Sequence, residues 1–412
     1  MQVSRYIGRL FYFCAMAIIL FEDNAHQSLL PLTYTRPVAD LRIGIFTIAE
    51  KWAKHLKTDF SFYTRAYLQG KFPIKITADN IFINGSFCPD ADLVEAIDKL
   101  RIGDALKYKD QLVAARLGES DAKHFTPNVD YDQAIAYENI AVTIKYPEDI
   151  FRKNDIELRK DFKLVTNGRT SATISSTNTI IGNDFFAEED VETECNTFST
   201  LNGPIYLGKN TEIWEGTNIR GAFAICGDSQ VKMGSKIYGA TTIGPYCRIG
   251  GEVNNAVIWG YSNKGHEGYL GNSVLGEWCN IGADSNNSNL KNNYAEVKLW
   301  DYTTQSYRKT GLQFCGMIMA DHVKCGINTM FNTGTVIGVG SNVFGAGFPP
   351  NNVPDFAWGG AQFGFEEYSL HKMLETTAKV FERREHREFN NDEQNILKEV
   401  FKLTKAYREL YI

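Results

Sequence analysis

The chain has 412 residues, long enough for two or more hydrophobic cores, and 43% of them are hydrophobic. Its net charge of −6 argues against a nucleic-acid binder, which would carry a basic face, so any phosphate ligand needs a local cationic pocket. The eight cysteines are scattered with no C-x-x-C pair, a pattern of reduced, buried thiols in a cytoplasmic protein rather than a disulfide framework or a zinc site.

The opening stretch MQVSRYIGRLFYFCAMAIILFED places Arg5 and Arg9 ahead of an apolar run, as a signal peptide does. No small-residue cleavage site follows, and Glu22 and Asp23 end the run too early for a membrane span. AIILFED therefore reads as the first buried strand of a domain, with Met16 as the start and the preceding residues as an extension. Over residues 17–165, short aliphatic runs (AIILF, IKITA, IFIN, AVTIKY) alternate with helical stretches such as DLVEAIDKL, where Leu93, Ile97 and Leu100 share one face. That alternation predicts a small α/β layer domain, closed by KYPEDIFRKNDIELRKDF as a charged helical linker.

Residues 170–347 follow a different rule. Leu207, Ile213, Ile219, Ile225, Val231, Ile237, Ile243 and Ile249 recur at every sixth position. Four residues after each stand Thr211, Thr217, Phe223, Ser229, Ser235, Thr241, Cys247 and Val253. A period of six fits neither a helix nor a two-faced strand; it predicts a β-helix whose large aliphatics fill a narrow prism. The period resumes at Leu275 and Ile281, and again at Met319, Cys325, Phe331, Ile337 and Val343. The broken count predicts loops bulging near 254–268 and 284–313, the first carrying His266 and the second the asparagine-rich DSNNSNLKNN. Asp321, His322 and Cys325 form a loose ligand-like trio, read here as a polar turn beside a core cysteine. Residues 366–412 predict amphipathic helices, with Met373, Val380, Ile396, Val400 and Leu403 apolar, that cap the prism or pack on a neighbouring subunit.

The segment EVNNAVIWGYSNKGHEGYLGNSVLGEWCNIGADSNNSNLKNNYAEVK resembles the acetyltransferase half of the bifunctional glucosamine-1-phosphate N-acetyltransferase / N-acetylglucosamine-1-phosphate uridylyltransferase family. The resemblance implies a left-handed parallel β-helix following a reduced nucleotidyltransferase-like α/β domain, with C-terminal helices after it. It also implies acetyl transfer from acetyl-CoA to the amine of an amino-sugar 1-phosphate, in a homotrimer with the acyl site between subunits. His266 would be the general base and Glu252 would orient its imidazole. Tyr269, Asn280 and Asn289 would bind the sugar, the Ala283 backbone would approach the thioester, and Lys298 would contact a phosphate. The family's lysine two residues after the glutamate is Asn254 here, and Arg248 is the candidate to replace its phosphate-binding arginine.

LLPLTYTRP, residues 29–37, resembles the opening motif of sugar-1-phosphate nucleotidyltransferases, but the machinery is altered. No glycine lies between Gly8 and Gly44, the loop EDNAHQS is acidic, Val38 replaces a lysine, and Ser86 in FINGS replaces the metal-binding aspartate. Arg36, Arg42 and Lys51 are the cations left for a nucleotide phosphate, and Asp40, Asp90 and Asp92 the carboxylates left for a metal. The alternative is that Arg36 and Asp40 pair to fix the turn, while Arg42 and Lys51 lie on a solvated helix face. Three readings follow: an acyltransferase with an altered nucleotidyltransferase domain, a nucleotidyltransferase making a UDP- or dTDP-sugar, and a non-catalytic sugar-nucleotide binder. A metal hydratase would need three histidines at subunit seams, and the β-helix has only His266 and His322. No permanent cofactor is expected, magnesium matters only if the amino-terminal site works, and neither nucleic acid nor membrane is an expected partner.

Overall fold

The structure, a computed structural model, describes residues 16–127, 131, 133–384 and 387–411; Arg5, Arg9, Cys14 and the proposed extension lie outside them. Ala17–Phe21 (β1) is apolar throughout, so it sits where both faces are covered. The chain then forms Ile48–Leu56 (α1), Phe60–Tyr63 (β2), Asp79–Asn84 (β3) and Ala91–Asp98 (α2). Ala105–Tyr108 (β4), Gln111–Gly118 (β5), Ile135–Ala136 (β6) and Pro147–Thr166 (α3) complete the layer. The sheet order is β2-β1-β3-β5-β4-β6, with β2 and β3 parallel to β1 and β5 antiparallel to β3. A capping box between Thr47 and Glu50 starts α1 where the apolar periodicity begins. IKITA forms no strand; Ile74 and Ile76 pack beneath the Phe21–Phe82–Phe125 cluster from an irregular segment.

The β-helix has three parallel faces. The first runs from Thr179–Ile181 to Tyr269–Gly271, the second from Phe185–Ala187 to Asn352–Val353, and the third from Glu192–Thr193 through Ala357–Gly360, beyond residue 347. The eight aliphatics from Leu207 to Ile249 are all within 2% of full burial, and the eight residues four positions after them are fully buried. The expected loop at 254–268 is absent. Val257–Ile258 and Asn263–Lys264 continue the second and third faces, because the coil shortens: Val231 pairs with Ile249, eighteen residues on, but Ile249 pairs with Lys264, only fifteen on. The second expected loop is real but later. Asn286–Asn287 still pairs with Met330–Phe331, and the excursion that follows folds into an antiparallel hairpin, Lys298–Asp301 with Ser306–Lys309.

The helix α3 is no solvated linker. Its Ile150, Phe151, Asn154, Glu157, Leu158 and Asp161 are buried, and Asn154 donates to the Ala240 carbonyl of the β-helix at 2.8 Å. Val257, Trp259, Val274, Ile318 and Val336, which face out of the prism, join Ile18, Trp52, Ile83 and Phe151 in one continuous apolar cluster. Leu370–Arg384 (α4), Asn391–Leu403 (α5) and Lys405–Tyr411 (α6) fold back onto it, adding Met373, Ile396, Leu397 and Val400. The α/β layer, the prism and the carboxyl-terminal helices thus share a core. Among the described residues no helix is long and apolar enough to cross a membrane.

Candidate functional site

His266 stands exposed at the corner between the third and first faces, directly after Asn263–Lys264, and its imidazole makes no hydrogen bond with any described residue. The corner is supported from within. On the third face the stack Ile213, Val231, Ile249 is followed by Lys264, an inward lysine only 2% exposed. Its Nζ donates to the Gly250 carbonyl at 2.9 Å and to the His266 carbonyl at 2.8 Å, tying the corner to the coil above. Gly250 and Gly251 stack so closely on 265–268 that a Cβ on either would lie within 3 Å of that backbone.

Burial pushes the Lys264 ammonium down to about 8, despite the favourable charges of Glu267 and Asp284. A lysine in the unfolded chain titrates near ~10.4, so between those values the unfolded state holds the extra proton and stability rises with pH. The wild type is expected to gain about 2 kcal/mol on Lys264→Met between pH 8 and pH 10, read from urea unfolding at each pH. Equal pH slopes for the two proteins would refute the buried-ammonium account.

The first face carries a polar ladder beside this corner. Lys236, Glu252 and Tyr269 stand in register, as do Tyr238, Asn254 and Gly271. Within one chain Glu252 does not hold the His266 imidazole: its Oε1 accepts from the Tyr238 hydroxyl at 2.6 Å. That bond, then burial, raises the Tyr238 hydroxyl above its ordinary range. The Tyr269 oxygen accepts from Asn254 Nδ2 at 3.4 Å and Asn289 Nδ2 at 2.8 Å, which uses both lone pairs and leaves its single O–H to donate elsewhere. Asn289 also donates to Asn272 Oδ1 at 2.7 Å. The structure therefore brings Glu252, Tyr269 and Asn289 onto one polar surface and gives Asn254 a role there. Sequence reasoning missed Tyr238, in register with Asn254, and Asn272, whose N–H donates to the Asn254 carbonyl at 3.0 Å.

The other expected binding residues are distributed. Arg248 and Asn280 belong to the outward ladder of the third face, on either side of Asn263. Ala283 follows in the next corner, its carbonyl accepting from Asn328 N at 2.8 Å. Lys298 is exposed on the inserted hairpin opposite Lys309 and makes no hydrogen bond to the ladder. Asp321, His322 and Cys325 separate as the polar-turn reading expects: Cys325 points into the prism core, and Asp321 turns to the amino-terminal layer. Burial pushes His322 down to about 3, which leaves it neutral against Trp278 and Phe381.

Arg36 and Arg42 close the seam between layer and prism instead of facing a nucleotide. Arg36, 3% exposed, lies 2.6 Å from Asp321 Oδ2, 3.0 Å from Glu277 Oε2 and 3.1 Å from Asp40 Oδ2, with its guanidinium over the Trp259 ring. Arg42 bonds the Ile45 carbonyl and lies against Cys226 Sγ at 3.7 Å, while its own carbonyl accepts from Trp259 Nε1. Lys51 is likewise buried, between Glu157 at 3.0 Å and Asp161 at 2.6 Å of α3, not on a solvated face.

A separate cleft of about 890 Å³ opens at the carboxyl end of β1. Because β2 and β3 flank β1 on opposite sides, this is the switch point at which open α/β sheets bind ligands. Asp23, Ser28, Ser86, Lys107, Asp110 and Lys145 line it.

A family model described as "Sugar nucleotidyl transferase" matches residues 18–170. Among solved structures, LpxA from Acinetobacter baumannii is 14% identical over 58% of this chain and 95% of its own, with a TM-score of 0.30. UDP-N-acetylglucosamine acyltransferase from Campylobacter jejuni is 14% identical over 58% and 84%, with a TM-score of 0.28. AntD, an N-acyltransferase from Bacillus cereus solved with dTDP and 3-hydroxybutyryl-CoA, is 13% identical over 50% and 91%, at 0.22. By description, the matched family and the Campylobacter and Bacillus neighbours are transferases.

The cleft offers a magnesium ion two carboxylates, Asp23 and Asp110. Asp23 accepts from Ala25 N and Asn84 Nδ2 on its two oxygens, and Ser86 offers a hydroxyl in place of a carboxylate. Asp40 is pushed up to about 6 by burial, and among the described residues no cluster of three or more His, Cys, Asp or Glu can hold a metal.

Proposed function

We propose that this chain is a cytoplasmic transferase of nucleotide-sugar metabolism whose β-helix moves an acetyl group from acetyl-CoA to the amine of an amino-sugar 1-phosphate. The observation that carries this reading is the exposed, unengaged imidazole of His266 on a corner braced by Lys264, beside the Glu252–Tyr269–Asn289 surface. As the amine nitrogen attacks the thioester carbonyl, His266 takes its proton; the C–S bond breaks and the thiolate leaves, to be protonated as free CoA. Tyr269 has its O–H free to meet an acceptor hydroxyl. Glu252 supplies negative charge on the neighbouring strand for the imidazolium while its Oε1 accepts from Tyr238. Asn280 meets the sugar, and the Ala283 backbone lies toward the thioester. In this reading three chains associate and the acyl site lies between them. Thiol release from acetyl-CoA with glucosamine 1-phosphate tests the activity, and sedimentation tests the trimer. No thiol release above the blank with any amino-sugar phosphate would sink the first, and a monomer mass the second.

A second reading, nucleotidyl transfer to a sugar 1-phosphate, is favoured by one observation: the family match spans the layer whose switch-point cleft holds Lys107 and Lys145. It expects pyrophosphate release from UTP or dTTP with a sugar 1-phosphate, lost in Lys107→Ala. Pyrophosphate release at the blank rate, with and without magnesium, would discard it.

A further inference from the structure

On the third face, Arg248, Asn263, Asn280 and Lys324 stand in register and point outward, one coil above the next. The last turn of α4 lies over them and adds Val380, Arg383 and Arg384, enclosing a groove of about 540 Å³. Tyr261 and Trp278 close one end, in a continuous stack with Phe381 of α4 that fixes the helix on the prism. Arg384 reaches across to Asn263 Oδ1 at 2.7 Å and to the Tyr246 carbonyl, both neutral acceptors.

The groove gathers four cations, and no described carboxylate lines it. Arg248 and Arg383 make no hydrogen bond or ion pair with any described residue, and Lys324 Nζ meets only the His322 carbonyl, at 3.1 Å. Burial lowers both Lys324 and Arg384, and Arg248 adds repulsion on Arg384. In a chain of net charge −6 such a concentration of like charge is a local cost that a bound anion would relieve. Two guanidinium groups suit one phosphate bidentately, so three arginines and a lysine suit two phosphates in series.

The geometry points to a binding site for a diphosphate, the charged link of a nucleotide or coenzyme ligand, between the third face and α4. Asn263 in its floor lies three residues before His266, about 10 Å at strand rise. The bound ligand therefore extends toward the corner carrying the imidazole; this direction rests on the acyl-transfer reading, whereas the binding itself does not.

Calorimetric titration of the full-length chain with inorganic pyrophosphate, coenzyme A and UDP tests the site. Pyrophosphate should bind with an affinity that falls steeply with salt, and Arg248→Gln/Arg383→Gln should weaken it at least tenfold while unfolding at the wild-type temperature. Stronger binding of coenzyme A than UDP, lost in the same variant, names an acyl donor as the source; the reverse names a nucleotide sugar. The single variant Lys324→Met should weaken binding about threefold, as a check that keeps both arginines. Unchanged affinity in the double variant, or no binding by the wild type, overturns the site. His266→Ala should bind all three probes as the wild type does, so failure of acyl transfer and failure of this site are read separately.

Discussion

His266→Ala is expected to remove nearly all acetyl transfer and to leave the unfolding temperature unchanged. The side chain is exposed and bonds no described residue, so removing it takes nothing from the folded state. A positioned general base contributes about 10²–10⁴-fold to rate, and the loss should be of that size in kcat with little change in KM. Gln in its place keeps polarity and volume but cannot accept the proton, and should be as inactive as Ala. A variant that kept a tenth or more of wild-type kcat would remove the imidazole from the chemistry. One that lost activity together with folding would give the side chain a structural part instead.

Arg36→Met is the substitution expected to cost the most stability. It leaves Asp321 and Glu277 buried at the seam without their shared cation, while the Thr35 hydroxyl at 2.6 Å and the Glu277 N–H at 2.7 Å still bond Asp321. Burial raises Glu277, but Arg36, Arg387 and Lys71 overcome it and hold its carboxyl well below the usual range. Removing one partner of a buried pair costs about 3–5 kcal/mol, against about 0–1 kcal/mol for an exposed one. Urea unfolding should register that loss, and adding Asp321→Asn should recover part of it, because the orphaned charge goes too. Unchanged stability with impaired nucleotide binding would return Arg36 to the role suggested by the opening motif.

The prism was legible because its rule is local and strict. From Leu207 to Ile249 an inward position recurs at a fixed interval, and no other backbone satisfies that interval. Legibility failed where the coil shortened after Ile249. Ile258 and Lys264 are still inward, but the count no longer finds them, and a lysine in an aliphatic stack is invisible to a hydrophobic pattern. His266 thus looked as if it stood on an extruded loop when it stands on a corner of the coil. For Arg36 and α3 the missing information was tertiary. A charged helix face reads as solvated unless its opposite charges are known, and Lys51 of α1 meets Glu157 and Asp161 only once α3 packs on the layer. For Glu252, spacing placed it one coil from the imidazole but is silent about the Tyr238 hydroxyl from which its Oε1 accepts.

The apolar cluster that runs unbroken from Ile18 through Trp259 to Val400 has a consequence for traffic. With layer, prism and carboxyl-terminal helices fused around one interior, neither end can swing to hand a product to the other. Were both the cleft beside β1 and the His266 corner to act, an intermediate would pass between them through bulk solvent, where a competing enzyme added to the mixture should intercept it.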